Sequence, residues 1–191
     1  MEEFLKFINH ISPISAETFS ELRNSFRPLI LVKNQFFVKE GVYAHRIGFL
    51  KKGIVRAFIV NDEGKEYTKQ FFVGPSIIGA YTSLLTSKPA VIAQQALTDC
   101  EIIAVDYKAV QKGYAQFHDL ERLGRKIAEL YFLEKEQKEI EMAQLDADKR
   151  YLIMRDKFPS IEAMVPQYHV ASYLGISPTQ LSRIRKKMRD S

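Results

Sequence analysis

Between residues 29 and 105 the chain is cut into eight short apolar runs, separated by turn-forming Gly, Asn, Asp and Pro. They are Leu29–Val32, Phe36–Val38, Ile47–Leu50, Ile54–Val60, Tyr67–Val73, Ile77–Leu85, Val91–Leu97 and Ile102–Val105. Short runs rich in Val, Ile and Phe and bounded this way read as strands. So many in close succession predict an all-β barrel or jelly roll. The segment Asn61-Asp62-Glu63-Gly64 reads as the loop of a hairpin.

On either side of this block the period becomes helical. Phe4, Leu5, Phe7 and Ile8 predict a first helix that stops at Ser12-Pro13. Ser15 is placed to cap a second one carrying Thr18, Phe19 and Leu22, closed by Pro28. Asp106–Tyr114 reads as a short helix. From His118 to Leu145 there is no proline and a single glycine, Gly124. Phe117, Leu120, Leu123, Ile127, Leu130, Leu133 and Ile140 recur there at three- and four-residue steps. Such a stripe packs either on the chain's own barrel or on a second copy. A helix this long spans about 40 Å, more than a small barrel needs, which favours a dimer seam that includes Leu120, Leu123, Ile127 and Leu130. A break at Leu145-Asp146-Ala147-Asp148 follows. Asp148 is read as the cap of a further helix through Tyr151, Leu152, Met154 and Arg155, which ends at Phe158-Pro159.

Charge is unevenly distributed. Residues 146–191 hold 9 of the 28 Lys and Arg but 5 of the 23 Asp and Glu. That excess suits a polyanionic partner, and equally a solvated basic tail. No run approaches the length of a membrane span. The N-terminus begins with acidic residues, unlike a secretory signal. The lone Cys100 cannot form an internal disulfide or supply a four-cysteine iron–sulfur cluster, which fits a reducing cytoplasm. His10, His45, His118 and His169 show no metal-ligand spacing. No nucleophile–base pair and no phosphate-cradling glycine loop is visible, so the expectation is that the chain is not an enzyme.

The densest functional signal lies in residues 164–191. Pro166 opens a helix whose apolar face is Val170, Ala171 and Leu174. Gly175 stops it as a left-handed cap residue would. Ile176 anchors the turn, Ser177 caps a second helix and Pro178 takes its first position. Leu181 and Ile184 face inward. Thr179, Gln180, Ser182 and Arg183 face outward, followed by Arg185, Lys186, Lys187 and Arg189. This is the pattern of a helix-turn-helix. Gln and Arg are able to read adenine and guanine edges, Thr and Ser suit bases or phosphates, and the trailing cations suit phosphates.

Taken together, the chain resembles the CRP/FNR regulators over nearly its whole length. The residues that carry the resemblance are Val38-Lys39-Glu40-Gly41 with Phe49-Leu50-Lys51-Lys52-Gly53-Ile54-Val55-Arg56, and Ala171-Ser172-Tyr173-Leu174-Gly175-Ile176-Ser177 with Leu181-Ser182-Arg183-Ile184. The resemblance implies an α+β chain: an N-terminal double-stranded β-helix (a jelly roll like a cyclic-nucleotide-binding domain) with N-terminal helices over residues 1–115, a long dimerisation helix over 116–145, and a helix-turn-helix unit over 146–191. It further implies a cytoplasmic homodimer that binds double-stranded DNA, with Arg183 contacting the site, and with RNA polymerase and a small-molecule effector as further partners. In the nucleotide-binding members a Gly-Glu-Leu start supplies a glutamate for the ribose, and an arginine about a dozen residues on takes the cyclic phosphate. Here those stretches read Gly79-Ala80-Tyr81 and Pro89-Ala90-Val91. Without the guanidinium the buried phosphate loses a bidentate charge-assisted bond. Tight cyclic AMP binding is therefore not expected, and no cofactor is. Gly79, Ala80, Tyr81, Ala90, Val91 and Ile92 either line a more apolar effector pocket or are core. No β-hairpin wing is expected after Lys187. The competing reading is a ligand-binding or protein-interaction module that does not bind DNA.

Overall fold

The computed structural model describes residues 1–189. In chain order the elements are α1 (Glu2–Ile11), α2 (Ala16–Arg23), β1 (Phe26–Leu31), β2 (Phe36–Val38), β3 (Arg46–Lys52), β4 (Ile54–Val60), β5 (Glu66–Val73), β6 (Ser76–Ile78), α3 (Tyr81–Thr86), β7 (Ala93–Ala96), β8 (Cys100–Asp106), α4 (Tyr107–Tyr114), α5 (His118–Gln144), α6 (Ala147–Lys157), α7 (Ile161–Met164), α8 (Gln167–Leu174) and α9 (Pro178–Arg189). The described strands form two antiparallel sheets of four, ordered β1-β8-β3-β6 and β2-β7-β4-β5. The sheets face each other as a β-roll. The two-residue alternation of strands explains how. Along β8, Cys100, Ile102 and Ala104 point into the roll with Leu50, Val55, Ile78 and Ala96, while Ile103 and Val105 point out of it.

The outward apolar residues require a cover, and each sheet has a different one. On the first sheet, Phe26, Ile103 and Val105 are covered by α1, α2 and the start of α5, with Ile8, Leu22, Leu120 and Leu123 buried among them. On the second sheet, Ile54 and Phe71 share one core with Tyr151, Met154, Phe158, Val170, Tyr173 and Leu174 from the C-terminal helices. Phe71 and Tyr173 stack at 5.0 Å between ring centroids, with Phe158 edge-on to both. The chain is thus a mixed α/β fold with a β-roll and a long helix.

Three sequence expectations are corrected. The apolar run Ile77–Leu85 is not one strand: β6 ends at Ile78 and α3 begins at Tyr81. Pro28 does not end α2, which stops at Arg23; it lies within β1 and pairs with Ile103. The cap of α6 is Asp146, whose carboxylate accepts from Lys149 N at 2.9 Å, and not Asp148.

Candidate nucleic-acid interface

The segment from α8 to α9 is held rigid by local bonds that the sequence dictates. Gly175 sits at φ +68°, a conformation costly for any residue with a Cβ. Its N–H donates to Ser172 O, and Ile176 N donates to Ala171 O at 3.0 Å, the paired bonds of a Schellman turn. Ser177 and Gln180 then cap α9 reciprocally: Gln180 N donates to Ser177 Oγ at 3.2 Å, and Ser177 N to Gln180 Oε1 at 2.9 Å. Leu181 and Ile184 are buried and fix the roll of α9 about its axis. Arg150 ties the base together, donating to Leu145 O and to Leu174 O.

This geometry sorts the expected contact residues. Thr179, Gln180, Ser182, Arg183, Lys186 and Lys187 are exposed. Gln180 is engaged through its oxygen by the cap, which leaves its amide nitrogen as the group it offers. Arg185 is half-buried and turned back to Glu162 at 3.2 Å. Lys187 pairs with Asp148 at 2.6 Å, which raises its pKa. Among the described residues no carboxylate pairs with Arg183 or Lys186. The outward face of α9 is therefore Thr179, Ser182, Arg183 and Lys186, with Arg185 removed from it by an ion pair invisible in the sequence.

The first helix of the pair, α8, docks on the second sheet. Ser172 Oγ accepts from Thr68 N at 2.8 Å and donates to Glu66 O at 3.0 Å. Beside it lies a charged group that sequence reasoning missed. Arg56 is 3% exposed, in the middle of β4. Its guanidinium donates twice to Gln95 Oε1, at 3.1 and 2.8 Å, and pairs with Glu66. It lies 3.8 Å from the centroid of the Phe58 ring and donates to Nδ1 of His169 on α8 at 2.9 Å. The sequence signal was a lone arginine inside an apolar strand run. Its partner His169 is 113 positions away and could not be paired with it by spacing.

His169 must be neutral for Nδ1 to accept from Arg56. Burial and then the adjacent guanidinium push its pKa down to about 4, against a smaller upward pull from Glu66. The unfolded imidazole, near 6.5, takes up a proton first as pH falls. Stability held by this contact is complete above about pH 6.5 and is lost as pH drops toward 4. Glu66, whose pKa is lowered by its bond to Arg56, acts in the same direction. The expected slope between pH 6 and 4.5 is about 1 kcal/mol per pH unit, read from urea unfolding. His169→Gln should flatten it across that window, while the share due to Glu66 is lost only below about pH 4.5.

The remaining expected site residues fall in two places. Ala80 and Ala90 are buried with Val38 in a small apolar cluster at the end of the roll. Gly79 precedes them, Ile92 is half-buried, and Tyr81 and Val91 are exposed. In α5, Leu120 and Leu123 are buried against the chain's own helices and Ile127 is partly so. Within the chain, Leu120 and Leu123 are packed with residues of α1 and α2, and Ile127 keeps part of its surface. The apolar stripe left open starts at Leu130 and continues through Leu133 and Ile140, with Phe132 beside it. Among the described residues no three His, Cys, Asp or Glu side chains are grouped to hold a metal ion, and no helix is long and apolar enough to cross a membrane.

Comparisons with known proteins bear on this architecture. Residues 29–117 match the family model of the cyclic nucleotide-binding domain. Among solved structures, the chain is similar to the c-di-GMP responsive global regulator CLP of Xanthomonas campestris, with TM-score 0.72, 19% identity and 92% of each chain covered. It is similar to FixK2 from Bradyrhizobium japonicum, with TM-score 0.74, 16% identity, and 86% of this chain and 85% of that one covered. A transcriptional regulator of the CRP/FNR family from Eubacterium rectale gives TM-score 0.74 at 13% identity, covering 92% and 84%. At these identities the likeness is one of fold. No curated protein sequence matches.

Proposed function

We propose that the chain is a homodimeric, sequence-specific DNA-binding transcription regulator of the CRP/FNR type, in which α8 and α9 are the helix-turn-helix. The observation that carries this is the outward face of α9. Thr179, Ser182, Arg183 and Lys186 stand exposed on a helix whose opposite face is buried and whose N-terminus is doubly capped. A recognition helix needs that combination of rigidity, hydrogen-bonding side chains and unpaired positive charge. Fold-level likeness to solved regulators supports the same reading. The units are the sensor roll with its helices (1–115), the dimerisation helix (116–145) and the DNA-binding unit (146–191). The last two join at the extended residue Leu145, which lets the DNA-binding unit reorient. RNA polymerase is a further partner on this reading.

The test is a gel shift at moderate salt on duplexes selected from a random pool. Arg183→Ala is expected to cost about 1–3 kcal/mol on the preferred site and to relax its base preference. Lys186→Ala should weaken all sequences alike and flatten the salt dependence. Failure of the wild-type chain to shift any duplex leaves the reading as a ligand-binding or protein-interaction module without DNA binding.

The sensor roll does not bind cyclic AMP tightly on this reading: the resemblance aligns Ala80 and Ala90 with the carboxylate and guanidinium of the nucleotide-binding members, and both are small, buried and apolar. Calorimetric titration is expected to show no binding at micromolar cyclic AMP. Saturation at micromolar or lower concentration contradicts it.

A further inference from the structure

We propose that the cavity between the outer face of the β1-β8-β3-β6 sheet and helices α1, α2, α4 and α5 binds a long-chain monocarboxylate. The hydrocarbon chain lies within and the carboxylate meets Lys135 at the rim. The site lies against the outer face of that sheet; Gly79 and Tyr81, two of the residues expected in an effector pocket, line its edge, while Ala80 and Ala90 pack in a separate cluster with Val38. It does not depend on the DNA-binding reading.

The cavity measures about 470 Å³. That is the size of a small-molecule site rather than a packing defect. Its walls are apolar, aliphatic side chains such as Ile103 and Ile127 alternating with aromatic ones such as Phe4, Phe49, Phe72 and Tyr131. The polar groups inside do not recruit charge. The Tyr131 hydroxyl is spent on the backbone, donating to Ile77 O at 2.7 Å and accepting from Ile77 N at 3.2 Å. Burial pushes the Tyr114 hydroxyl up to about 12, so it stays neutral. An ionic or nucleotide-like ligand placed in these walls loses its hydration with nothing in return.

Shape and charge narrow the occupant. The lining follows α5 from Leu120 to Lys135, a span of about 22 Å at 1.5 Å per residue. A compact ring system does not fill such a length, and an extended acyl chain does. Lys135 is the one charged residue among the described lining residues. It is half-exposed, and its bond to Glu139 at 3.3 Å is an exposed pair one helical turn away. Such pairs contribute a few tenths of a kcal/mol and yield readily to a better-placed carboxylate. One cation at the mouth of a long apolar slot matches a single terminal anion on a hydrocarbon chain.

The probe is hexadecanoate, titrated calorimetrically into the full chain below its micellar concentration, with hexadecanol as the uncharged control. One saturable site per chain is expected, with hexadecanoate about fivefold tighter than hexadecanol, the size of one partly exposed ion pair. Lys135→Gln, a surface change that leaves the fold alone, should remove that difference. Ala128→Phe, which fills the slot from the α5 side, should weaken both ligands about tenfold or more. The proposal is overturned by the absence of saturable binding. It is equally overturned if neither substitution changes the binding, or if hexadecanoate fails to bind while Ala128→Phe shifts the oligomeric state, which makes a second copy the occupant.

Discussion

Replacing Arg56 with alanine is expected to lower the stability by about 3 kcal/mol and to release α8 from the second sheet. The guanidinium satisfies Gln95, Glu66 and His169 at once and lies over Phe58. Removing it leaves the half-buried Gln95 Oε1 and the buried His169 Nδ1 without a donor. Truncating one member of a buried charged network costs about 3–5 kcal/mol. The lower end applies because Glu66 is 40% exposed in its side chain and recovers part of its hydration. The change is local to the contact between β4 and α8. Hydrogen exchange should therefore quicken first in α8, and proteolysis should appear near Leu145, while the β8 amides stay protected. Uniform loss of protection across both sheets would show that Arg56 supports the whole roll and not the docked position of α8. Lysine at position 56 should not rescue, because an ammonium cannot span Gln95 and His169 with a planar fork.

The double substitution Leu130→Asp with Leu133→Asp is expected to make the protein monomeric and to weaken DNA binding by about 10²–10⁴-fold. Leu130 and Leu133 are 49% and 58% exposed, and Ile140 continues their stripe a heptad beyond Leu133. Four carboxylates placed across a two-fold seam repel each other and cannot be buried unpaired. A dimer engages its second half-site at a high effective concentration, and that gain of about 10²–10⁴ vanishes when the copies separate. The stability of each chain should change little, since both side chains already face solvent. Sedimentation and the gel shift read the two effects separately. An unchanged dimer would place the interface elsewhere on the chain.

How much of this was legible in the sequence depended on the range of the interaction. The strands of the roll were visible because alternation and turn residues are local, and Phe36–Val38 and Ile54–Val60 carry the same bounds in both readings. The run Ile77–Leu85 misled because a continuous apolar stretch has no period, and nothing in it separates a short strand from a short helix. Asp146 and Asp148 are equivalent caps by residue type. What separates them is where the helix starts: α6 begins at Ala147, so Asp146 accepts from Lys149 N, while Asp148 lies in the first turn and pairs with Lys187. The turn at Gly175 and the cap at Ser177 were readable because their partners lie within five residues. For Leu120 and Leu123 the stripe fits a seam between copies and packing within the chain alike, since no sequence pattern announces that α1 and α2 fold back over the start of α5. Arg56 with His169, and Arg185 with Glu162, depend on contacts between elements far apart in the chain and left no periodic trace.

The central claim is that the outward face of α9 enters the major groove of duplex DNA. Guanine N7 lies in that groove, so methylation protection on a selected duplex reads the contact directly. Two protected clusters about one helical turn (10–10.5 bp) apart are expected, with protection at the Arg183-dependent guanine lost in Arg183→Ala. Full methylation at every guanine of a duplex that the protein demonstrably occupies, or protection indifferent to Arg183, would contradict it.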